Sequence, residues 1–274
     1  MLVVNKIISA FKKFAWFKRF NAKVTYEVLA KYIPAADWHF MNYGYIPDPT
    51  EAENNVPPFA VKDQRHSANM YHYLACKAPL EGKEILEIGS GRGGGAAYIA
   101  RNFKPTHYTG LDIAKNAVEL ACKLHPLPNL SFVQGSAESL MATDRSIDVV
   151  INVESCHGYG DVKMFLREVA RVLKPGGYLL LVDFRNSVEN MVLFKQELKH
   201  SGLTVLSEED ISAKVVAAIE SEDESKRKKI ESLIPRRYQK LFCDFAGVVG
   251  SRFYITLKDG SRPYYRFVLQ KSKI

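Results

Sequence analysis

The stretch from Glu84 to Gly95, with the sequence E-I-L-E-I-G-S-G-R-G-G-G, changes abruptly from an apolar run to alternating glycines. Such a change predicts a buried strand, a tight turn and the first turn of a helix. Gly89 and Gly91 tolerate a positive φ and lack the Cβ atoms that would keep a ligand away from the backbone. Because the first N–H groups of the helix have no intrahelical partner, the turn predicts a site for a polar ligand that contains adenosine.

The same turn fits two cofactors. Gly89, Gly91 and Gly94 have the G-x-G-x-x-G spacing of proteins that bind NAD, but a single match of this kind is weak. Glu87 precedes Gly89 and completes E-x-G-x-G-x-G, which resembles the first motif of class I S-adenosylmethionine (SAM) dependent methyltransferases. The resemblance implies that Glu87, Gly89 and Gly91 bind SAM, with the acid near its methionine end. A glycine turn without a ligand is the alternative.

Asp112 follows the second predicted strand, which spans residues 107–111. An acid at the carboxyl end of this strand is placed to accept hydrogen bonds from both hydroxyls of an adenosine ribose. This role is common to NAD and SAM proteins. Asp112 therefore supports the predicted nucleotide-binding fold more than it supports either choice of cofactor. Alternatively, Asp112 only caps the helix that begins near Ala114.

The resemblance covers residues 40–185 and includes the K-P-G-G turn at residues 174–177. It implies a Rossmann-like α/β fold of the class I methyltransferase type. The expected sheet has seven mostly parallel strands with helices on both faces, plus N-terminal helices and a C-terminal helical lid. We divide the chain into N-terminal helices with a SAM-covering lid (1–78), a SAM-binding core (79–185), a helical substrate cap (186–250) and a final helix and strand (251–274).

The turn after the third predicted strand differs from the family pattern. In the family this turn usually carries an aspartate that bonds the adenine amino group. Ser136 takes its place, and its hydroxyl can still accept a hydrogen bond. The resemblance therefore implies adenine contacts from Ser136, the backbone of Ala137 and Glu138, and a further cofactor contact from Asn152 at the end of the fourth strand.

Residues 35–63 are polar and rich in proline and aromatic residues. A long irregular segment of this kind is usually functional or disordered. M-N-Y-G-Y at residues 41–45 resembles the stretch that small-molecule methyltransferases fold over SAM, which implies a lid with Tyr43 near the cofactor. An exposed tether with incidental tyrosines is the alternative.

A narrower resemblance rests on five pieces of sequence, M-N-Y-G-Y, Y-H-Y-L-A, Y-T-G-L-D, N-V-E-S-C-H-G-Y and R-V-L-K-P-G-G-Y. They are similar to bacterial small-molecule O-methyltransferases of the mycobacterial phthiotriol and phenolphthiotriol dimycocerosate type. The resemblance implies methyl transfer from SAM to a hydroxyl of an apolar acceptor, namely a lipid, a polyketide or a phenol. Two alternatives stay open: methylation at carbon of a sterol or quinone ring, and a SAM-binding protein without transfer, either cyclase-like or regulatory.

The sequence N-V-E-S-C-H-G-Y follows the fourth predicted strand, and ligands bind at the carboxyl edge of such sheets. His157 is the candidate base, because neutral imidazole accepts a proton near pH 7. Some natural-product methyltransferases carry a histidine here, followed by a second one where this chain has Gly158. A histidine that only lines the pocket is the alternative. Glu154 is the second catalytic candidate, to orient His157 or contact the acceptor, and Asp183 either bonds the acceptor hydroxyl or stays hydrated.

The formal charge of +8 at pH 7 would suit a nucleic-acid partner. The basic residues are dispersed, however, and no nucleic-acid-binding signature is present, so we predict a basic enzyme without nucleic acid. Four separated cysteines without a C-x-x-C pair indicate neither a disulfide framework nor a zinc site. We therefore predict a reduced, cytoplasmic protein without a bound metal.

Residues 1–23 contain six basic residues and no acid, with apolar residues at helical spacing. This pattern predicts a basic amphipathic helix. Residues 1–20 then contact an anionic membrane surface, at the periphery of the inner membrane, or lie near the entrance for an apolar substrate, or else pack on the domain. A second helix is expected over residues 21–33.

The C-terminal segment has two interpretations. By pattern alone, residues 251–257 and 262–270 form a hairpin. By resemblance, the first piece is a helix and residues 264–270 form the last strand of the sheet, which is the interpretation that we adopt. Upstream, the pattern predicts helices at residues 188–200, 208–221 and 222–233 and a strand at 203–206.

Overall fold

One sheet of seven strands forms the centre of the computed structural model, which describes residues 38–48 and 64–273. In chain order the strands are β1 (Glu84–Ile88), β2 (His107–Asp112), β3 (Leu130–Gln134), β4 (Ile147–Val153), β5 (Leu173–Phe184), β6 (Leu203–Asp210) and β7 (Tyr264–Lys271). The strands have 5 to 12 residues, and β1, β4 and β7 are rich in apolar residues.

The strand order across the sheet is β3-β2-β1-β4-β5-β7-β6. Strands β1 to β5 run parallel to their neighbours, whereas β7 runs antiparallel to β5 and β6. The predicted seven-stranded, mostly parallel sheet is therefore confirmed. The chain order reverses between β1 and β4, and in open α/β sheets ligands bind beyond the carboxyl ends of the strands at such a switch point.

Helices connect most of the strands. The described residues contain α1 (Arg65–Ala75), α2 (Gly94–Asn102), α3 (Lys115–Leu124), α4 (Val162–Val172), α5 (Val188–Lys199), α6 (Ser212–Leu233), α7 (Arg236–Ala246) and α8 (Arg252–Lys258), with a short 3-10 turn at Cys156–Gly158.

The helices cover both faces of the sheet, as predicted. One face packs against α1, α2, α6 and α8, and the other packs against α4 and α5. Ile85 of β1 belongs to the first apolar cluster and Leu86 to the second, because successive side chains of a strand point to opposite faces. Strand β4 is buried from Val149 to Val153, as expected for a strand that is covered on both sides.

Strand β6 is longer than predicted, since it ends at Asp210 and not at Leu206. The charged composition of its second half suggested a helix. Pairing with β7 prevails, because Glu209 lies opposite Arg266 in register and their side chains form an ion pair with 2.7 Å between Oε2 and Nη2. The partner strand therefore determines the structure here more than local propensity does.

A single helix, α6, replaces the two helices predicted at residues 208–221 and 222–233. No proline or glycine separates Ser221 from Glu222, so nothing in the sequence breaks the helix at that point. Glu222 also pairs with Lys226 one turn later, at 3.3 Å. The predicted boundary is wrong for these reasons.

The K-P-G-G turn at residues 174–177 lies inside β5 rather than before it. Strand β5 pairs with β4 at Leu173 and again from Tyr178, and the ladder shifts register between these two points. Gly176 has a φ of 80°, which side chains rarely permit. The turn therefore interrupts the ladder without ending the strand.

The C-terminal segment follows the interpretation taken from the resemblance. Residues Arg252–Lys258 form helix α8, and β7 completes the sheet between β5 and β6. Ser251 precedes the helix, and its side chain accepts a hydrogen bond from the Tyr254 N–H at 3.2 Å. This N-cap favours a helix over the hairpin that the pattern suggested.

Several predictions lie outside the described residues. These are the helices at residues 1–23 and 21–33, the membrane contact through residues 1–20, and the part of the lid at residues 49–63. The division of the chain into four segments stays a prediction. In the part that the structure describes, no helix is both long enough and apolar enough to cross a bilayer.

The packing of α2 against α1 gives a prediction about Gly95. A Cβ atom at Gly95 would lie 1.9 Å from a ring carbon of Tyr71, and the Tyr71 hydroxyl is held by Glu87 at 2.7 Å. We expect Gly95→Ala to lower the free energy of unfolding by about 1 to 3 kcal/mol, because an overpacked core must shift. Urea denaturation measures this change, with Gly158→Ala as the control because nothing lies within 4 Å of a Cβ there. Equal midpoints for the two variants would contradict the packing argument.

Candidate active site

The glycine turn lies at the switch point, between the carboxyl end of β1 and helix α2. Gly89 and Gly91 have φ values of 83° and 52°, so both positions need the conformational freedom of glycine. A Cβ atom at Gly89 would lie 1.9 Å from Ser155 Oγ, whereas at Gly91 it would meet only Met41 Cγ, at 3.7 Å. Gly89 thus allows the β4 loop to approach, and Gly91 leaves the backbone open toward a cavity.

This first cavity has a volume of about 420 Å³ and lies beyond the ends of β1, β2 and β4. Residues 39–42 cover one side of it. The structure brings most of the predicted site residues together at this place. Those that line the cavity are Gly89, Gly91, Asp112, Ser136, Ala137, Glu138, Glu154 and His157.

Asp112 stands at the end of β2, with its carboxylate almost fully buried. One oxygen accepts a hydrogen bond from the Gly91 N–H and the other from the Ala114 N–H, both at 2.9 Å. The carboxylate therefore fixes the glycine turn and the start of α3 at the same time. Asp112 lines the cavity as expected, whereas the N-cap of α3 is Ala114 and not Asp112.

Ser136 and Glu138 form the turn after β3. The Ser136 Oγ accepts a hydrogen bond from the Glu138 N–H at 3.2 Å. The Glu138 Oε1 accepts one from the Asp161 N–H at 2.9 Å, which joins this turn to the start of α4. The hydroxyl that replaces the family's aspartate thus lies at the cavity in a turn that other loops support.

Glu87 does not line the cavity. It is fully buried and accepts hydrogen bonds from Tyr71 at 2.7 Å and from Tyr108 at 3.1 Å. Burial raises the pKa of Glu87 to about 7, although the two tyrosine hydroxyls act in the opposite direction. Since Tyr71 does line the cavity, Glu87 reaches it through the tyrosine.

Asn152 also lies behind the lining, where it joins β4 to β1. Its Nδ2 donates to the Ile88 carbonyl at 2.8 Å and to the Tyr159 hydroxyl at 2.9 Å. Both bonds are buried in the sheet edge below the glycine turn. Asn152 therefore supports the turn, and its direct contact with a cofactor stays a prediction.

Glu154 follows β4 in a left-handed conformation, with a φ of 47°. Its Oε1 accepts hydrogen bonds from the Tyr43 N–H, at 2.8 Å, and from the Tyr264 hydroxyl. Burial raises the pKa of Glu154 to about 8, against the opposing effect of these two hydrogen bonds. The carboxyl does not contact His157 through any hydrogen bond in the described residues, so the predicted orienting role is wrong.

Asp183, at the end of β5, is the residue that orients His157. The Asp183 Oδ1 lies 2.8 Å from His157 Nδ1, and its Oδ2 accepts the His157 backbone N–H at 2.8 Å. Asp183 is fully buried. Burial alone would raise its pKa, but His157 and Arg185 outweigh that effect and hold the pKa of Asp183 well below its usual range. Asp183 is therefore a buried anion. The sequence suggested that it either stays hydrated or bonds an acceptor, and both interpretations are wrong, because it is buried and lines neither cavity.

A second cavity of about 560 Å³ adjoins the first. Phe40, Met41, Asn42, Glu154, His157 and Phe245 line both cavities. The remaining walls come from the end of β5, the second half of α6 and helix α7. The two cavities thus meet at Glu154 and His157.

Tyr43 belongs to this second cavity and not to the first. Its ring stacks on Phe253 with 3.9 Å between ring centroids, and its hydroxyl donates to the Phe245 carbonyl at 3.2 Å. Met41 and Asn42, which precede Tyr43 in the same segment, line both cavities. Residues 39–42 of the segment predicted as a lid therefore line the first cavity, whereas Tyr43 lines only the second.

Sequence reasoning missed Tyr264 and the pairing of Asp183 with His157. The signal for Asp183 was its place at the carboxyl end of β5, because β4 and β5 are neighbours in the sheet. Two polar residues at the ends of adjacent parallel strands come close together. Nothing in the local sequence marks Tyr264, which lies at the start of β7.

Comparison with known proteins agrees with this geometry. Residues 86–181 match a family model described as a methyltransferase domain. The chain is 35% identical to the fatty-acid O-methyltransferase of Mycolicibacterium smegmatis, over 99% of both chains. It is 37% identical to the phthiotriol/phenolphthiotriol dimycocerosates methyltransferase of Mycobacterium leprae, over 85% of both chains.

Among solved structures, the cyclase SpnF has a similar fold, with a TM-score of 0.69 and 17% identity, over 92% of this chain and 96% of that chain. At this level of identity the likeness concerns the fold alone. The relatives of higher identity extend over nearly the whole chain, and the glycine turn lies at the switch point of the sheet as the family motif requires. The chain therefore belongs to the class I S-adenosylmethionine-dependent methyltransferases.

Proposed function

We propose that this enzyme transfers the methyl group of SAM to a hydroxyl of an apolar small molecule, which the second cavity holds. The observation that carries the proposal is the His157–Asp183 pair at the junction of the two cavities. A buried carboxylate that holds an imidazole is the arrangement that general-base catalysis uses. The names of the two mycobacterial relatives, which refer to fatty acids and dimycocerosates, support an apolar acceptor.

SAM is the cofactor, and the residues of the first cavity fit it. The volume of about 420 Å³ is within the usual range of small-ligand sites. Ser90 also lines this cavity, and its buried Oγ has no hydrogen-bond partner among the described residues. We assign the ribose hydroxyls to the Asp112 carboxylate and the adenine to Ser136, Ala137 and Glu138. Gly91 supplies the open backbone beside the ligand.

The second cavity suits an apolar acceptor because aromatic and aliphatic side chains supply much of its lining. Its volume of about 560 Å³ is large enough for a drug-sized apolar molecule. Asn42, Glu154 and His157 supply polar groups where it meets the first cavity, and side chains of α6 supply further polar lining. The apolar lining includes Phe40, Phe184, Ile230, Ile234, Phe242 and Ala246.

The pair defines which nitrogen of His157 acts. Asp183 is an anion and can only accept, so the His157 Nδ1 carries the proton that it donates at 2.8 Å. The Nε2 is then the nitrogen that can take the proton of an acceptor hydroxyl, and Asp183 stabilises the imidazolium that forms. SAM, when bound, supplies an electrophilic methyl group. The enzyme must hold the acceptor oxygen about 3 Å from it.

The His157–Asp183 pair also bears on which of two kinds of oxygen acceptor the enzyme uses, a carboxylate or a hydroxyl. A fatty-acid carboxylate is already ionised at neutral pH, with an ordinary pKa of about 4 to 5. It has no proton to lose, whereas an aliphatic alcohol or a phenol does. A histidine fixed by a buried carboxylate therefore favours a hydroxyl acceptor.

A product analysis tests the proposal. The enzyme is incubated with methyl-labelled SAM and a long-chain alcohol, a fatty acid of the same length, a quinone or a sterol, and the product is identified by mass spectrometry. An ether whose label is lost on ether cleavage supports the proposal. Label that survives cleavage on a ring carbon would establish C-methylation instead.

His157→Ala should lower turnover on a long-chain alcohol by roughly 10²- to 10⁴-fold, because a general base contributes about that much. On a fatty acid of equal length the loss should be below about tenfold, since no proton is removed. Single-turnover kinetics with both acceptors measure this difference, and calorimetry should show nearly unchanged affinity for SAM. His200→Ala, at the exposed end of α5, is the matched control. Turnover on the alcohol within about threefold of wild type would refute the assignment of His157 as the base.

Gly91→Val should abolish SAM binding, because a branched side chain would enter the first cavity from a backbone with a φ of 52°. Gly202→Val is the matched control, since Gly202 has a φ of 80° and open space around its Cβ position. It carries similar backbone strain far from the site. Calorimetry with SAM and with NAD measures both variants and the wild type. Binding of NAD but not SAM by the wild type would contradict the assignment of the first cavity.

Glu154 is assigned to hold residues 42–44 over the junction of the two cavities, through its bond to the Tyr43 N–H. Burial raises the pKa of Glu154 to about 8 from an ordinary value near 4.5. The free energy of unfolding therefore depends on pH through this carboxyl group. The folded protein binds this proton more tightly than the unfolded chain does, so the contribution is fully present below pH 4.5 and is lost as the pH rises to about 8.

Glu154→Gln keeps an oxygen that accepts both hydrogen bonds but removes the titration. Relative to wild type, the variant should therefore gain stability with pH, by up to about 1.4 kcal/mol per pH unit between pH 5 and 8. Chemical denaturation at several pH values measures this trend. Glu81→Gln, at an exposed position, is the control and should run parallel to wild type. A constant difference between Glu154→Gln and wild type across this range would show that the carboxyl does not titrate there.

A further inference from the structure

Helix α7 presents an apolar face to solvent. Tyr238, Leu241 and Phe245 recur at intervals of three and four residues, so they lie on one side of the helix. They are 45%, 66% and 37% exposed, and Leu233 at the end of α6 is 43% exposed. We call these four residues the α7 face. Such a group of large apolar side chains on a surface indicates an interaction site.

The α7 face is not needed to hold the helix in place. Three other residues of α7, Phe242, Cys243 and Ala246, pack against a small apolar cluster. That cluster is centred on Ile230 and Val248, which are almost fully buried. The α7 face is therefore available to a partner, since packing of the helix uses other residues.

Basic residues border the α7 face. The stretch 226–240 contains seven lysines and arginines but a single acid. The first three of these basic residues form ion pairs one turn apart with acids of α6. Arg236, Arg237 and Lys240 are exposed on α7 itself, as is the acid Asp244. The Arg237 guanidinium lies 4.7 Å from the centre of the Tyr238 ring. An apolar stripe with a basic border is the pattern of a helix that lies on an anionic lipid surface.

The second cavity opens at the same place. Leu233 and Phe245 belong to the α7 face and also line this cavity. A side chain that is both exposed and part of the lining marks a point where a cavity reaches the surface. The opening of the proposed acceptor site and the apolar face therefore coincide.

We propose that the α7 face docks on the surface of an anionic membrane, with the opening of the second cavity turned toward the lipid. Leu241 and Tyr238 enter the boundary between head groups and acyl chains, while Arg236, Arg237 and Lys240 contact anionic head groups. An apolar acceptor then passes from the bilayer into the cavity without crossing water. The membrane docking is argued from the exposed residues of the α7 face alone, whereas the delivery of an acceptor into the cavity rests on the proposed function.

Vesicle sedimentation tests the docking with the full chain. Wild type should bind vesicles of phosphatidylcholine and phosphatidylglycerol, and lose most of this binding in pure phosphatidylcholine or at high salt, because the charges are then screened. Leu241→Ser should weaken partitioning by about tenfold, since it removes one buried apolar side chain. Leu193→Ser on α5 is the matched control, because Leu193 is 56% exposed but lies on a helix of the opposite face of the sheet.

A double variant with reversed charges provides a second test of the docking. Arg237→Glu with Lys240→Glu should weaken binding to anionic vesicles by at least about tenfold at low salt. Lys163→Glu with Arg167→Glu, exposed on α4, changes the net charge equally and should stay within about threefold of wild type. Equal losses of vesicle binding by the two double variants would show that net charge determines binding, and not the position of the charges on α7. This result would overturn the proposal.

Three further results would overturn it. One is equal vesicle binding by Leu241→Ser, Leu193→Ser and wild type. Another is loss of binding on deletion of residues 1–20, the other predicted membrane contact, with normal binding by the α7 variants. The third is self-association of the wild type, in the absence of vesicles, that Leu241→Ser abolishes, since the face would then be a contact between copies of this chain.

Activity separates a failure of the docking from a failure of the proposed function. Leu241 lines neither cavity, so Leu241→Ser should methylate a short water-soluble alcohol at the wild-type rate. The same variant should lose activity on an alcohol embedded in anionic vesicles, by about the factor lost in binding. Equal activity of variant and wild type on the embedded acceptor overturns the docking and leaves the methyltransferase assignment intact.

Discussion

The close approach of two loops at the switch point is the constraint on which the site depends. Strands β1 and β4 pair in parallel, so the glycine turn and the β4 loop leave the sheet side by side. Asn152 fastens the two strand ends through the Ile88 carbonyl at 2.8 Å, and a Cβ at Gly89 would lie 1.9 Å from Ser155 Oγ. Gly89 therefore serves the packing of the protein against itself, while Gly91 serves access to the ligand, although both belong to one motif.

Three buried carboxyl groups stand at the ends of β1, β4 and β5, and their surroundings give them different charges. Glu87 and Glu154 receive hydrogen bonds mainly from neutral tyrosine hydroxyls, so burial dominates and raises the pKa of these residues to about 7 and about 8. Asp183 is buried as deeply but contacts His157 and Arg185, which hold its pKa well below the usual range. The anion that can stabilise a charged imidazole is therefore Asp183, because a cation accompanies it into the interior.

The parts of this site that lie within one strand and its following turn could be predicted from the sequence. The glycine turn, the position of Asp112 and the sheet all follow from local patterns and the family motif. The pairing of His157 with Asp183 was missed because His157 lies in the 3-10 turn after β4 and Asp183 lies at the end of β5. The two residues meet only because these strands are neighbours in the sheet. The extent of β6 was missed for a similar reason. Its charged second half is a strand because it pairs with β7, which its own composition does not indicate.

The acceptor side of the site depends on contacts of still longer range. Glu154 joins Tyr43 and Tyr264, which are 111 and 110 residues away in the chain, and the outer wall of the second cavity comes from α6 and α7. These helices follow the region that matches the methyltransferase domain, which ends at residue 181. The matched region contains most of the residues that we assign to SAM, together with the proposed base. On this assignment, the residues that would select the acceptor lie mainly outside the matched region, in α6 and α7, and these helices also form the surface around the opening of the second cavity.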